Sequence, residues 1–145
     1  MKANAVIFQD NIATLRAVND GQADGGIIYH YYWFRDQAKT KDISANTALH
    51  YFRNEDPGAF ISISGGGVLN SSKKKDQAQQ FLRFITGEAG QEVLKIGTSF
   101  EYPVASEVPA NPALPPLNTL QAPTVNPSDL DAAKVTGMMT TAGLL

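Results

Sequence analysis

A strand–helix–strand pattern in the first 29 residues limits the fold more than any other feature. Residues 5–8 are a short apolar run, and residues 25–29 form a second one; both are typical of strands. The helix predicted between them begins at Asp10 or Asn11, either of which can cap it, and ends at Gly21. This pattern predicts an α/β fold, in which ligands bind just beyond the carboxyl ends of the strands.

Later segments continue the mixture of strands and helices. Residues 47–53 and 59–64 are predicted strands, and residues 33–39 a short helix. Apolar residues at helical spacing then predict a longer helix through Ala78, Phe81, Leu82 and Ile85. Gly87 separates it from a helix over residues 88–96. A final helix is predicted to follow a capping box of Ser128 and Asp131 and to end near Gly143.

Composition excludes several classes of protein. The chain has 145 residues, enough for one ordinary domain, and a net charge of −2 without a basic patch suited to nucleic acid. It has no cysteine, which excludes disulfides, thiolate metal sites and a cysteine nucleophile. No apolar run approaches the roughly 18 residues that a membrane helix needs. No secretory signal is visible, so we expect either a cytoplasmic protein or an N-terminal part that lies outside this chain.

Tyr31 and Tyr32 stand side by side directly after the second predicted strand. A phenol has a pKa near 10 and stays neutral at pH 7 unless a highly charged cation lies next to it. Fe(III) is such a cation, and it prefers hard, anionic oxygen donors. The pair therefore indicates a ferric site. The alternative is that both side chains pack in the protein with their hydroxyls reaching water.

Catalytic patterns are weak. Gly65, Gly66 and Gly67 follow a predicted strand, but no Lys-Ser or Lys-Thr follows at the spacing of a phosphate loop. The polar candidates do not fall into a Ser-His-Asp order, a His-x-x-x-His pair or paired carboxylates at a strand end; they are Asp10, Asp24, His30, Asp36, His50, Glu55 and Asp56. We therefore expect a binding protein rather than an enzyme.

Several stretches occur together in the order and spacing of one known family. They are residues 9–11, 30–33, 56–59 leading into 64–68, 81–94 and 101–104. With these stretches the chain resembles the C-terminal half of periplasmic ferric-ion-binding proteins, the solute receptors of bacterial iron(III) ABC transporters. The tyrosine pair with Trp33 is the specific marker, while residues 56–58 and 101–104 mark the wider superfamily.

The resemblance implies a set of site residues. Tyr31 and Tyr32 would be phenolate ligands of Fe(III), with phosphate or carbonate as a synergistic anion. Asn11 would contact that anion, and the start of the helix beside it would offer free N–H groups. Tyr29 stands where some members have an asparagine that binds the anion, so it is a second anion-binding candidate or a third phenol near the metal. His30 has the chemistry of a metal ligand, but alternation along a strand would point it to the opposite face from Tyr31.

The resemblance also implies the organisation of the protein. The fold would be the C-terminal part of a two-lobed type II periplasmic-binding-protein fold, incomplete in this chain. Residues 1–61 would belong to the second lobe, 62–112 to the first, and 113–145 to the second again. Strands without neighbours leave apolar faces uncovered, so we expect the missing N-terminal half, or another copy of the chain, to cover them.

The function implied is extracytoplasmic. A periplasmic or cell-surface receptor would bind ferric iron and deliver it to an ABC permease, with neither nucleic acid nor membrane insertion involved. The alternative within the same fold is a receptor for another small solute, such as a phosphonate, a polyamine, thiamine or a sugar, which the two tyrosines would contact by stacking or hydrogen bonding. A third possibility is an interaction fragment that binds no ligand.

Overall fold

The computed structural model describes residues 4–145. Within that range the chain forms five α-helices: α1 Asn11–Asn19, α2 His30–Gln37, α3 Lys75–Thr86, α4 Glu88–Ile96 and α5 Ala132–Ala142. Three short 3-10 helices lie between them, at Pro57–Ala59, Leu117–Leu120 and Pro127–Asp129.

Helix α1 forms where the sequence predicts it. The Asp10 carboxylate accepts a hydrogen bond of 2.8 Å from the backbone N–H of Ala13, which satisfies one of the free donors of the first turn. Gly21 follows the helix with a φ of 72°, a left-handed conformation that glycine adopts at low cost. Leu15 and Ala17 face inward and are almost fully buried.

Helix α2 begins three residues earlier than predicted, at His30 rather than Trp33. The tyrosine pair therefore lies in the first turn of a helix and not at the end of a strand, so the argument from strand alternation for His30 was wrong. Aromatic residues favour strands only weakly, and packing overrides that preference. Here the packing is specific, because the Phe34 ring stacks on the buried Phe100 at 5.6 Å.

The predicted strands are not paired into a sheet anywhere in residues 4–145; their residues lie outside the helices, except Ala59, which ends a 3-10 helix. A strand becomes regular only when its N–H and C=O groups bond to a neighbouring strand, and the described chain supplies no such neighbour. Several of their apolar side chains are open to solvent, with Val6, Ile7, Ile27 and Ile63 between 66% and 81% exposed. The prediction of uncovered apolar faces is confirmed.

Helices α3 and α4 pack as a pair with Gly87 between them, as predicted. Gly90 allows this close packing, because a Cβ there would collide with the carbonyl oxygen of Phe84. The buried Gln91 side chain donates to the carbonyl of Ile85 at 2.6 Å and accepts from the N–H of Val104 at 2.7 Å. The helix pair is thereby joined to the segment that follows Phe100.

Helix α5 corrects the predicted capping box. Asp131 itself is the N-cap, and its carboxylate accepts from the N–H of Lys134 at 3.0 Å. Ser128 lies in a separate 3-10 helix, and its backbone N–H donates to the side chain of Asn126. The stretch before α5 is largely irregular and is held by the buried side chains of Val108, Leu114 and Leu120.

None of the helices among residues 4–145 has the length and apolar character that crossing a bilayer requires.

Candidate metal-binding site

Three phenol rings lie next to one another at the start of α2. The ring centroids of Tyr31 and Tyr32 are 4.6 Å apart, with the planes tilted by 35°. The Tyr29 ring stacks on the other side of Tyr31, at 5.6 Å and 6°. Tyr31 and Tyr32 are half-buried, and Tyr29 is exposed. The pair is therefore accessible to a small ligand rather than packed among aliphatic side chains.

Burial is the main cause that raises the pKa of Tyr31 above its ordinary value near 10. The adjacent Tyr32 phenol and the negative charge of Glu101 raise it further, as does Tyr29. Tyr31 is consequently a neutral phenol at pH 7. It becomes an anionic oxygen donor only when a ligand of high positive charge compensates for the loss of its proton.

Asn11 lies beside this cluster. Its Oδ1 accepts a hydrogen bond of 3.0 Å from the backbone N–H of Tyr29. The side chain brings the first residue of α1 against the residue that precedes α2. The backbone N–H groups at the start of α1 are less available to an anion than predicted, because the Asp10 carboxylate already accepts a hydrogen bond from the N–H of Ala13.

The His30 ring meets the Tyr31 ring edge-on at 5.8 Å, while its Nε2 points to another part of the chain. Its Nε2 lies 2.8 Å from the backbone carbonyl of Phe100, and since a carbonyl only accepts, Nε2 is the donor. Burial lowers the pKa of His30, against opposing effects of the Phe100 carbonyl and the Glu101 carboxylate. The imidazole is therefore neutral at pH 7, with Nε2 occupied by Phe100.

The segment of residues 100–102 is a part of the site that the sequence did not predict. Phe100 bonds to His30, Glu101 influences the pKa of Tyr31 and of His30, and the Tyr102 ring lies 5.5 Å from the His30 ring. The Glu-Tyr-Pro-Val stretch contributed only to the family resemblance. Its contact with α2 spans 70 residues, a separation at which no local pattern signals contact.

Within residues 4–145, no three His, Asp or Glu side chains converge in a way that could hold a metal ion. The oxygen donors that do converge are phenols. Such a set suits a hard trivalent cation far better than it suits zinc or copper, which prefer imidazole and thiolate.

Comparison with known proteins shows which family the chain belongs to. The family model described as bacterial extracellular solute-binding protein matches residues 1–96. The chain belongs to this family. This places it among the solute-binding proteins, and the predicted kinship is confirmed.

Individual relatives of this solute-binding chain carry more specific names. The Fe(3+)-binding periplasmic protein of Serratia marcescens is 52% identical over all 145 residues, which correspond to 43% of that protein. The major ferric iron-binding protein of Neisseria meningitidis is 35% identical over 119 residues, or 82% of this chain and 36% of that protein. The chain thus spans less than half the length of these relatives.

A solved structure shows the same architecture. Iron-bound HitA from Pseudomonas aeruginosa superposes with a TM-score of 0.87 at 38% identity, over 99% of this chain and 46% of that one. The likeness confirms the predicted fold class. The solute-binding chain has only part of the two-lobed type II periplasmic-binding-protein fold.

Proposed function

We propose that this chain binds ferric iron through the phenolate oxygens of Tyr31 and Tyr32, as part of an extracytoplasmic receptor that delivers the metal to an ABC permease. The observation that carries the proposal is the pair of half-buried, accessible phenols, 4.6 Å apart between ring centroids in the first turn of α2. The names of the relatives support ferric iron as the cargo. This chain covers less than half of each of those relatives.

The chemistry follows from charge. Two phenolates offer hard, anionic oxygens that neutralise two of the three charges of Fe(III). Each phenol has to lose its proton on binding, and burial makes that loss harder at Tyr31. A divalent cation compensates less for this cost than a trivalent one. The site should therefore favour Fe(III) over Fe(II) and over divalent metals of similar size.

The proposal includes a synergistic anion, phosphate or carbonate, bound beside the pair. The Oδ1 of Asn11 is engaged by Tyr29, which turns the Nδ2 donor of the same amide toward other partners. The hydroxyl of Tyr29 is a second donor on the exposed side of the cluster. We assign Asn11 and Tyr29 to this anion, while Tyr29 keeps the alternative role of a third phenol near the metal.

Delivery follows from the two-lobed fold. We assign residues 1–61 and 113–145 to one lobe and residues 62–112 to the other, with the metal between them. A metal that contacts both lobes favours the closed form by its difference in affinity for closed and open forms. The closed receptor, in the periplasm or at the cell surface, would then be recognised by the permease. No bond of the cargo is broken, so the activity is binding and not catalysis.

The test is a titration of the metal-free protein with Fe(III) in the presence of phosphate or carbonate, followed by visible absorption. Fe(III)–phenolate complexes absorb visible light, whereas an organic solute bound by the same tyrosines gives no colour. We expect a band that weakens strongly in Tyr31→Phe and in Tyr32→Phe but persists in Tyr102→Phe, which removes a phenol engaged with the Pro115 carbonyl. A colourless wild type that instead binds a phosphonate, polyamine, thiamine or sugar would contradict the proposal.

A further inference from the structure

We propose that His30 is a positioning residue for the tyrosine pair, fixing the first turn of α2 against residues 100–102. The inference rests on the proposed function, since it concerns the same two phenols. His30 is not assigned as a ligand of the metal. Its role is to determine where Tyr31 and Tyr32 stand before the metal arrives.

The primary contact is the hydrogen bond from His30 Nε2 to the Phe100 carbonyl, at 2.8 Å. Phe100 is itself firmly held, because only 7% of its surface is exposed and its ring stacks on Phe34. Its backbone has a φ of 54°, which is uncommon for a residue with a bulky side chain and persists only where the surroundings impose it. The carbonyl that His30 reaches is therefore a fixed point.

Helix geometry transmits this contact to the pair. His30 and Phe34 are four residues apart and lie on the same face of α2, so both face Phe100. Tyr31 is the next residue along, and its ring meets the His30 ring edge-on at 5.8 Å and 76°. A change in the orientation of the imidazole displaces the Tyr31 ring directly and the Tyr32 ring through it.

The environment of His30 is shaped for this role. The rings of Tyr51 and Tyr102 both adjoin the His30 ring, with centroids 6.5 Å and 5.5 Å away. These ring contacts and the hydrogen bond to the Phe100 carbonyl together restrict the orientation of the imidazole. Metal-binding side chains that neighbouring residues already hold in place lose little conformational freedom when the metal binds. Supporting residues usually raise the affinity in this way.

The experiment compares His30→Gln, whose amide nitrogen can reach the position of Nε2, with His30→Leu, which has no donor. His50→Leu is the matched control, because His50 is exposed and stands edge-on to Phe52. Fe(III) with phosphate is the probe, and affinity and the visible band are the readouts. We expect His30→Leu to lose at least tenfold in affinity and to shift the band, with His30→Gln within threefold of wild type and His50→Leu unchanged.

Two results would overturn the inference: a His30→Leu protein with wild-type affinity and band, or a His30→Gln protein as weak as His30→Leu. The second would show that the imidazole acts as a ligand or as a packing group rather than through its donor. If His30→Leu fails to fold, His30→Asn replaces it, because its polar side chain is too short to reach the carbonyl.

A metal-free readout separates this inference from the proposed function. In protein with isotope-labelled tyrosines, the ring resonances of Tyr31 should move or broaden in His30→Leu and return in His30→Gln. If wild type develops no colour with Fe(III), the proposed function fails, and these resonances still decide whether His30 positions the pair. Unchanged Tyr31 resonances in His30→Leu would refute the positioning role.

Discussion

The side chain of Asn11 accepts a hydrogen bond of 3.0 Å from the backbone N–H of Tyr29, across 18 residues of sequence. The bond joins the first residue of α1 to the residue immediately before α2. His30 joins the same turn to Phe100, 70 residues further along the chain. The tyrosine pair is thus held between two contacts that come from distant parts of the chain.

Replacing Asn11 with Ala should weaken ferric binding by about tenfold. One hydrogen bond contributes about 0.5–1.5 kcal/mol, and tenfold corresponds to about 1.4 kcal/mol, so loss of this bond and of the amide near the anion is of that order. Asn19→Ala is the matched control, because its Oδ1 accepts a similar bond of 3.0 Å from the N–H of Asn46, away from the phenols. Competition with a chelator should show the loss in Asn11→Ala alone; equal losses in both variants would indicate a general effect on folding.

Ferric affinity should rise steeply with pH. A phenol in water keeps its proton at neutral pH, and the pKa of Tyr31 is raised further by burial and by the neighbouring Tyr32. Below the pKa values of the phenols, each proton released adds about tenfold in affinity per pH unit, so two protons give about 100-fold. A pH-stat should record two protons released by the protein per ferric ion, and one fewer in Tyr32→Phe. Release of less than one proton from the wild type would exclude phenolate ligation.

Tyr51 and Tyr102 should respond oppositely to removal of their hydroxyls. The Tyr51 hydroxyl is buried and finds no hydrogen-bond partner within residues 4–145, whereas the Tyr102 hydroxyl donates to the Pro115 carbonyl at 2.7 Å. We expect Tyr51→Phe to raise the free energy of unfolding by about 1 kcal/mol and Tyr102→Phe to lower it by a similar amount. Urea denaturation at pH 7 measures both, and a destabilised Tyr51→Phe would contradict the assignment.

Tyr51 should also make the stability of the protein depend on pH in the alkaline range. Burial, with a smaller effect of Tyr102, raises the pKa of Tyr51 to about 12. An unfolded tyrosine ionises near pH 10, so between about pH 10 and about pH 12 the unfolded state loses this proton first and stability falls as pH rises. In Tyr51→Phe the decline over this window should be shallower than in wild type.

Part of the site could be predicted from the residues alone because Tyr31 and Tyr32 are neighbours in the chain. The family resemblance, and not spacing, added Asn11 and Tyr29, and the structure places both beside the pair. The roles of these residues toward metal and anion remain predictions. Asp10 and Gly21 delimit α1 correctly for the same reason, since capping acts within one turn.

What could not be predicted depends on packing between distant segments. The start of α2 at His30 rather than Trp33 is determined by contact with Phe100, and the orientation of His30 by a carbonyl 70 residues away. The strands were predicted from apolar runs, but regular pairing needs neighbouring strands that residues 4–145 do not supply. The capping box at Ser128 was wrong because Asp131, an equally good cap, stands closer to the helix.

The most direct test of the central claim is resonance Raman spectroscopy of the Fe(III)-loaded protein, excited within its visible band. Tyrosinate ring modes appear only if phenolate oxygens bind the metal. We predict strong tyrosinate modes in wild type, weaker ones in Tyr31→Phe and in Tyr32→Phe, and none in the double variant. Tyrosinate modes that persist in the double variant, or a ferric complex of the wild type that lacks them, would show that this pair does not hold the iron.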